Sequence, residues 1–398
     1  MSLARAVVTS AVTLALAAPS AWAGSAESVE AAPAAAGAAP AGPAPAAAQP
    51  PRVQPTPAEA EASGLRLSWK DGKTTLETDD VRIQLSNRIQ LRYTRDAAGA
   101  DGPRGFFELR RAKTKLEGWL YSSAVGYGLQ LNWADTSNPL EDAYLDYDVS
   151  GSEAVGVTLG QYKVPFGRQE LTSSGSQQFV DRSIVSKAFA HGRDLGVQVH
   201  GRALGGKLEW RTGAFNGNGR TRQRDAADRY QLNARVQLAP NGDTRYSESD
   251  FESKGTPLYS VTVGIQRRDL DDDDAIKTVR TTYALDGVLK YRGFSAFVEA
   301  FFASDDPAEA AQDPRSPGGF HLQLGQLLAD RRFELALRFA RLDPDRRAPG
   351  DSRSEIGAAL GYYVRKHGLK AQADVRRVED DASGDAETQF RFQTQFVF

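Results

Sequence analysis

The sequence predicts an all-β protein, a 16-stranded antiparallel transmembrane β-barrel with a long inward-folded third loop, preceded by a disordered Ala/Pro-rich segment. Three observations predict this fold. From residue 81 onward, apolar and polar residues alternate with a period of two, which is the pattern of strands with one apolar face. The connections between these segments alternate between short turns and long polar loops, as they do in outer-membrane barrels. The final segment, 390–398, alternates aromatic with mostly polar residues and stops on Phe398.

The N-terminus predicts export. Arg5 supplies a positive charge, Ala6 to Ala18 form an apolar stretch, and Ala21-Trp22-Ala23 resembles a signal-peptidase site. The apolar stretch is too short for a transmembrane helix, which needs about 20 residues. We therefore expect a signal peptide over 1–23. Residues 24–63 are rich in Ala, Pro and Gly and are expected to form an extended periplasmic linker, which leaves 64–398 for the barrel.

The barrel strands follow from the alternation. In the first strand, Val81, Ile83 and Leu85 share one face, and Arg82 and Gln84 share the other. The absence of cysteine means that an exported chain cannot depend on disulfides, whereas a closed barrel is held by its own hydrogen-bond ladder. Sixteen segments show the pattern: 81–95, 107–120, 124–133, 141–149, 154–163, 195–203, 207–215, 229–239, 257–268, 279–292, 293–303, 318–328, 331–342, 353–365, 368–379 and 387–398.

Two connections stand out. The third long loop, 164–194, is too long for a simple link, and we expect it to fold into the barrel and narrow it. The connection 240–256 is also long, although it lies at the end where turns should be short, and the sequence assigns it no role beyond a periplasmic loop. The alternative fold, a soluble β-helix or sandwich, needs polar outer faces, which these strands lack.

Several segments resemble the phosphate-selective porin O and P family. The most specific is Leu159-Gly160-Gln161-Tyr162-Lys163-Val164-Pro165-Phe166-Gly167, which is similar to the family's signature before its third loop. The other similar blocks are 107–113, 214–219, 338–344 and 362–370. The resemblance implies a homotrimeric porin with an arginine-lined channel in the bacterial outer membrane. The last strand resembles the one whose terminal Phe, here Phe398, is recognised by the barrel-assembly machinery.

The faces opposite the apolar stripe are predicted to line the lumen, and on them basic residues outnumber acidic ones. Arg and Lys side chains select anions, and guanidinium groups can bind phosphate through two hydrogen bonds. In the second strand, Phe107 and Leu109 share the phase of Arg111, so a bulge near Arg110 is expected to separate them. The predicted anion pathway consists of Arg82, Arg88, Arg92, Arg111, Lys113, Lys115, Arg182, Lys187, Arg211, Arg235 and Arg338.

These observations predict an outer-membrane porin for passive uptake of phosphate, polyphosphate or similar small anions. Its expected partners are these anions, outer-membrane lipid and the assembly machinery, with no nucleic acid and no cofactor. Two alternatives remain open, a barrel of other solute preference and a structural anchor without selective conductance. An enzyme is not expected, because catalytic motifs are missing and nothing in the sequence pairs His200 or His321 with a serine. The acidic run Asp271 to Asp274 is interpreted as solvated, and no metal site is predicted.

Overall fold

The structure is a computed structural model, which describes residues 64–97, 102–222, 230–253, 255–270, 278–307 and 313–398. The predicted signal peptide, the linker over 24–63 and the run Asp271 to Asp274 lie outside the described residues. The strands are β1 Arg66–Lys70, β2 Lys73–Glu77, β3 Val81–Asp96, β4 Arg104–Leu120, β5 Ser122–Asn132, β6 Leu140–Asp148, β7 Gly156–Lys163, β8 Arg193–Ala203, β9 Leu208–Phe215, β10 Gln231–Leu238, β11 Leu258–Asp269, β12 Thr278–Tyr291, β13 Phe294–Pro307, β14 Gly318–Leu328, β15 Phe333–Asp343, β16 Arg353–Arg365, β17 Leu369–Asp380 and β18 Ala386–Val397.

Strands β3 to β18 form a closed antiparallel barrel of 16 strands, in which each strand pairs with the next in sequence. The barrel closes where β18 pairs with β3, with Phe392 opposite Tyr93. The predicted fold is therefore confirmed, and every predicted segment coincides with one barrel strand apart from small differences at the ends. Closure matters because an open sheet edge in lipid would leave backbone N–H and C=O groups without hydrogen-bond partners.

A short hairpin before the barrel was not predicted from the sequence. Its second strand, β2, pairs with Arg82 to Ser86 of β3, directly beyond the point where β18 ends. The N–H of Asn87 donates to the carbonyl of Phe398 over 2.7 Å, so the last residue and β2 follow each other along the same edge of β3. The hairpin therefore pairs the part of β3 that extends past the end of β18.

The side chains are arranged inside out compared with a soluble protein. In β15, Leu337 is 62% exposed on the outer face, whereas its neighbour Arg338 is 2% exposed on the inner face. The same alternation gives most barrel strands an apolar outer surface, as expected for a surface that meets lipid. The bulge in β4 is present, because Gln90 pairs with Arg111 while the next residue, Leu91, pairs with Leu109, and Arg110 is skipped.

The third long loop folds into the barrel, as predicted. It contains helix α1 (Arg168–Leu171), a 3-10 turn (Ser174–Ser176) and helix α2 (Ile184–Phe189). Its aromatic residues pack on the inner wall, where the ring of Phe189 stacks on that of Phe301 with centroids 4.9 Å apart. This internal apolar cluster holds the loop against the wall. Its buried members are Tyr162, Val164, Phe166, Val185, Phe189, Phe215, Ala284, Phe301, Ala303 and Ala340.

The connection 240–256 also enters the barrel, from the end with the short turns. Ser249 and Asp250 are fully buried, and the ring of Phe251 packs edge-on against Tyr363 with centroids 5.0 Å apart. The loop from one end and this connection from the other meet inside the lumen, where the Glu248 N–H donates to the carbonyl of Ser176 over 3.0 Å. Together they fill the side of the barrel formed by β10 to β17. In the described parts of the chain, no helix is both long and apolar enough to span a membrane.

Candidate functional site: a basic passage through the barrel

The side of the lumen that remains open lies against strands β3 to β9. A cavity of about 800 Å³ runs between this wall and the inner surface of the loop. The wall contributes residues of β3, β4, β6 and β8, such as Arg88, Lys113 and Asp142, and the loop contributes Ser173, Ser174 and Arg182. A solute that crosses the barrel here passes between fixed strands and a packed loop.

Cationic groups predominate along this passage. Among the described residues that line it, nine are basic and four are acidic. The basic residues are Lys73, Arg88, Arg111, Lys113, Lys115, Lys163, Arg182, Arg193 and Arg211, and the acidic residues are Glu117, Glu141, Asp142 and Asp146. The excess of positive charge faces a confined volume with low-dielectric walls, where it attracts anions more strongly than in bulk water.

Most of these cations already have a carboxylate partner. Lys113 donates to Glu141 over 2.6 Å, and Arg193 donates to Asp142 over 2.7 Å. Lys115 pairs with Glu117 and Arg211 with Glu209. Such pairs lower the net attraction of each cation for a passing anion.

Arg88 and Arg111 differ from the other arginines that line the passage. Within the described chain, neither has a carboxylate oxygen within 4.0 Å. Arg88 donates to the hydroxyls of Ser173 (2.8 Å) and Ser174 (3.2 Å), and Arg111 donates to the side-chain oxygen of Gln90 (2.9 Å). Their partners are neutral, so both positive charges remain uncompensated beside the passage.

The position of Arg88 depends on a close approach to the loop. Gly175 lies beside its guanidinium, and a Cβ at that position would overlap Nη1. Across the strand pair, Arg88 lies opposite Lys113. Two like charges in this arrangement repel each other, and Glu141 offsets the repulsion by pairing with Lys113.

The loop side of the passage is held by backbone carbonyls. Arg182 donates to the carbonyls of Gln169, Glu170 and Thr172 over 3.0 Å and lies 3.0 Å from a carboxylate oxygen of Glu170. Lys163, the last residue of β7, donates to the carbonyls of Leu171 and Thr172 as well. These bonds tie the turn after α1 to two basic side chains beside the passage.

The structure brings together six of the eleven residues predicted for the anion pathway. Arg88, Arg111, Lys113, Lys115, Arg182 and Arg211 all line the passage. Arg92 of β3 is buried beneath the loop, where it pairs with Asp181. Arg235 and Arg338 are buried on the filled side, where they pair with Asp286 and Glu355 respectively. Arg82 lies near the start of β3 beside Glu77, and Lys187 lies on α2, 3.9 Å from Asp181. For all eleven, a role in conduction stays a prediction.

Three lysines and arginines that line the passage were outside the predicted set. Lys163 belongs to the sequence block that carries the family resemblance, and Arg193 begins β8 just after the loop. Lys73 comes from the unpredicted hairpin and lies 3.3 Å from Glu117. For the first two, the signal was a basic residue at each junction between the loop and a strand. The sequence carries no such signal for Lys73, because a strand of five residues shows too little alternation to be recognised.

The structure does pair a histidine with a serine, which the sequence did not indicate. The Ser183 hydroxyl lies 3.0 Å from Nδ1 of His321, and Nε2 of His321 lies 3.9 Å from a carboxylate oxygen of Glu299. All three residues are fully buried between the loop and the wall, and Ser183 Oγ also accepts the N–H of Ser186 at the start of α2. A nucleophile needs access to its substrate, so this arrangement is that of a helix cap and not of a hydrolase site.

Comparisons with known proteins agree with this architecture. Residues 83–256 match the sequence profile of the phosphate-selective porin O and P family. Similar folds occur in an anion-selective porin from Comamonas acidovorans (10% identity, TM-score 0.60, 79% of this chain and 99% of that chain) and in OmpT of Vibrio cholerae (8%, 0.59, 81% and 100%). The outer membrane channel DcaP of Acinetobacter baumannii is also similar (12%, 0.57, 81% and 99%). No curated protein matches the sequence.

The closed 16-stranded barrel with an inward loop and a lined passage defines a porin, a channel protein of the bacterial outer membrane. The resemblance to the phosphate-selective porin O and P family is confirmed, and the matched residues contain nearly all of the open wall, the inward loop and the whole connection 240–256. At identities of 8–12%, the solved structures show the fold alone.

Proposed function

We propose that this porin forms a water-filled, anion-preferring channel for the passive uptake of phosphate, polyphosphate or similar small anions. The observation that carries the proposal is the pair of uncompensated guanidinium groups, Arg88 and Arg111, beside the open passage. The two residues lie on neighbouring strands, since Arg111 pairs with Gln90, two positions after Arg88. Both can therefore act on an anion in the same part of the passage.

The chemistry around these groups suits phosphate oxygens. A guanidinium presents planar donors that match two oxygens of one phosphate. The hydroxyls of Ser173 and Ser174 already contact Arg88 and supply further groups for hydrogen bonds. Binding must also be weak enough for release, and the paired cations farther along, such as Lys115 and Arg211, provide weaker sites for the next step.

The comparisons support this proposal in general terms. The matching family is described as phosphate-selective, and one porin of similar fold is described as anion-selective. One solved form of OmpT from Vibrio cholerae is described as a trimer, which favours a homotrimer here. We further propose export through the signal peptide 1–23, contact of the apolar outer face with outer-membrane lipid, and no enzymatic activity.

A reversal-potential measurement tests the proposal. The purified protein is inserted into planar bilayers across a KCl gradient, and the wild type is expected to pass chloride in preference to potassium. Replacing Arg88 and Arg111 together with alanine should lower the anion/cation permeability ratio several-fold and weaken the block of chloride current by phosphate. The variant Arg88→Lys/Arg111→Lys keeps both charges and should retain chloride preference, but it should lose part of the phosphate block because lysine cannot form the planar double contact.

The matched control removes two arginines from an outer loop. Arg346 and Arg347 lie between β15 and β16 and contact backbone carbonyls of Ser316 and Pro314. Arg346→Ala/Arg347→Ala should leave selectivity unchanged. Equal effects of the two double variants would show that net charge, and not the placed pair, determines selectivity. A wild type without measurable conductance would favour the structural anchor.

A further inference from the structure

We infer that the connection 240–256 is a second constriction element, which confines permeation to the passage beside β3 to β9 and thereby determines pore width and anion preference. The inference rests on the proposed function. A 16-stranded barrel encloses enough space for a wide aqueous channel, so the narrow passage requires that the other half of the lumen be filled. The inward loop fills only part of it, and the connection fills the rest.

Glu248 is the residue that joins the connection to both the loop and the wall. Its carboxylate accepts hydrogen bonds from the Gln169 side chain (3.0 Å), the Gln178 N–H (2.8 Å) and the Gln323 side chain (2.8 Å). The first two donors belong to the inward loop and the third to β14. One buried carboxylate on the connection thus fixes the loop against the wall.

The neighbouring residues attach the connection to the barrel itself. Ser249 donates to Glu334 of β15 over 2.7 Å, and Asp250 accepts the N–H of Gly293, in the turn between β12 and β13, over 2.7 Å. Arg331, in the next turn, donates to the carbonyls of Phe251 (2.6 Å) and Ser253 (3.0 Å). Contacts to three separate parts of the wall make the connection a fixed part of the lumen.

The covered half of the lumen has no excess of basic residues among those that the structure describes. Its inner wall carries five carboxylates that are at most 5% exposed, Asp286, Glu299, Glu334, Glu355 and Asp374, and four cations that are at most 2% exposed, Arg235, Lys290, Arg338 and Lys370. The loop covers some of them, since the N–H of Val180 donates to Asp374 and that of Ile184 to Glu355, while the connection covers Glu334. If this half were open, its nearly balanced charges would line the channel together with the basic wall and would lower the preference for anions. Covering it therefore preserves the basic character of the path.

The connection also forms part of the passage. Tyr246 lines the open cavity, and the guanidinium of Arg168, in the loop, lies 4.9 Å from the centre of its ring. The Tyr246 hydroxyl donates to Glu209 over 3.4 Å, so the connection reaches from the filled half to the wall at β9. This side chain marks the border between the closed and the open part of the lumen.

A shortened variant tests the inference. Leu238 and Val261 pair across β10 and β11, so the two strands are adjacent and a Gly-Asn-Gly linker can replace residues 241–255. The expected result is a rise of single-channel conductance by at least about twofold, because the filled half opens to water. Passage of larger neutral polyethylene glycols and a fall of the anion/cation permeability ratio toward unity should accompany it. A variant that assembles with wild-type conductance, polymer cut-off and selectivity overturns the inference.

Glu248→Ala tests the same inference without shortening the chain. Without the carboxylate, the connection loses two hydrogen bonds to the loop and one to β14, and open-channel current noise and mean conductance should both rise. Glu153→Ala is the matched control, since that glutamate lies in a short turn at the same end of the barrel with a side chain 70% exposed. Equal currents from both variants and the wild type overturn the inference. A wild type that lacks anion preference overturns only the proposed function, because the gain in conductance is measured independently.

Discussion

Arg92 on β3 and Asp181 in the inward loop form a buried ion pair, with Nη1 and Oδ2 3.1 Å apart, that fastens the loop to the wall where the barrel closes. Arg391 of β18 donates to the same carboxylate over 3.3 Å, and Lys187 lies 3.9 Å from it. Burial raises the pKa of Asp181, but the charges of Arg92, Lys187 and Arg391 outweigh this effect and hold the pKa well below its ordinary value. The pair is thus fully formed above about pH 4 and weakens only as the pH falls further.

Replacing Asp181 with asparagine should lower the free energy of unfolding by about 3–5 kcal/mol, because it leaves Arg92 and Arg391 buried with less compensating charge. Unfolding in urea, followed by tryptophan fluorescence, measures the change. Asp381→Asn is the control, since Asp381 forms an exposed pair with Arg341 at 3.7 Å, and such pairs contribute at most about 1 kcal/mol. Equal losses in the two variants would contradict the assigned role of Asp181.

Acid should loosen the connection 240–256 through His367, in the short turn between β16 and β17. Lys370 donates to its Nδ1 over 3.3 Å, and its Nε2 lies 3.2 Å from the Ser247 hydroxyl. Burial lowers the pKa of His367 well below its ordinary value, and the charges of Lys370, Lys290 and Lys366 lower it further. The aromatic groups packed on the ring, Phe251 and Tyr363, add no charge at neutral pH.

The direction of the pH effect on docking follows from this lowered pKa. The contribution of neutral His367 to docking is complete above about pH 6.5, the pKa of an exposed histidine, and declines as the pH falls below it. Open-channel noise of the wild type should therefore increase between pH 6.5 and pH 4.5, while Asp181 remains ionised throughout this range. His367→Gln, which cannot take up a proton, should show no such increase. An identical pH profile in both proteins would rule out His367 as the titrating group.

The position of the Arg88 guanidinium, and not only its charge, should matter for selectivity. Gly175→Ala adds a methyl group where Nη1 now lies, so Arg88 must turn away from Ser173 and Ser174. We expect weaker phosphate block of chloride current, with net charge unchanged. Gly264→Ala serves as the control for the added methyl group, since the nearest atom to a Cβ there, the carbonyl oxygen of Ala234, lies at an ordinary contact distance of 3.5 Å. Unaltered phosphate block in Gly175→Ala would show that the placement of Arg88 is unimportant.

The barrel strands were predictable because each strand carries its own signal. A residue on a barrel strand faces either lipid or lumen, so the alternation seen in Leu337 and Arg338 is local and needs no knowledge of distant partners. Even the bulge at Arg110 was indicated by a change of phase within β4. The lengths of the turns and loops then indicated how these strands are arranged in the barrel.

The division of the lumen was not predictable, because it depends on contacts between segments far apart in sequence. Arg88 and Arg92 are equivalent in the strand pattern, yet Arg88 lies beside the passage and Arg92 is covered by Asp181. Arg235 and Arg338 likewise occupy lumen-facing positions that the loop and the connection happen to cover. The inward direction of 240–256 is decided by the partners of Glu248 and Phe251, which an alternation pattern does not reveal.

Phe398 is predicted to act in assembly and not in conduction. Its ring is 53% exposed on the outer face, and its N–H donates to the carbonyl of Asn87 over 3.0 Å, next to the β2 hairpin. Gly72 of that hairpin lies so close to Val397 that a Cβ there would overlap the Val397 carbonyl, so the end of β18 fits between β3 and the hairpin. Deleting Phe398 removes the last bonds at the closing seam and an aromatic ring at the membrane interface, where such rings are favoured.

We expect the deletion to reduce the amount of folded porin in the outer membrane several-fold, because barrel closure is the step that satisfies the edges of β3 and β18. Quantitative blotting of membrane fractions under strong expression measures this amount, and bilayer recordings measure each channel that does assemble. Conductance per channel should remain at the wild-type value, since Phe398 is not among the residues that line the passage. Phe333→Ala removes an outward aromatic ring at the same end of the barrel and away from the closing seam, so it should reduce assembly less. Wild-type levels of the truncated protein would contradict the assignment of Phe398.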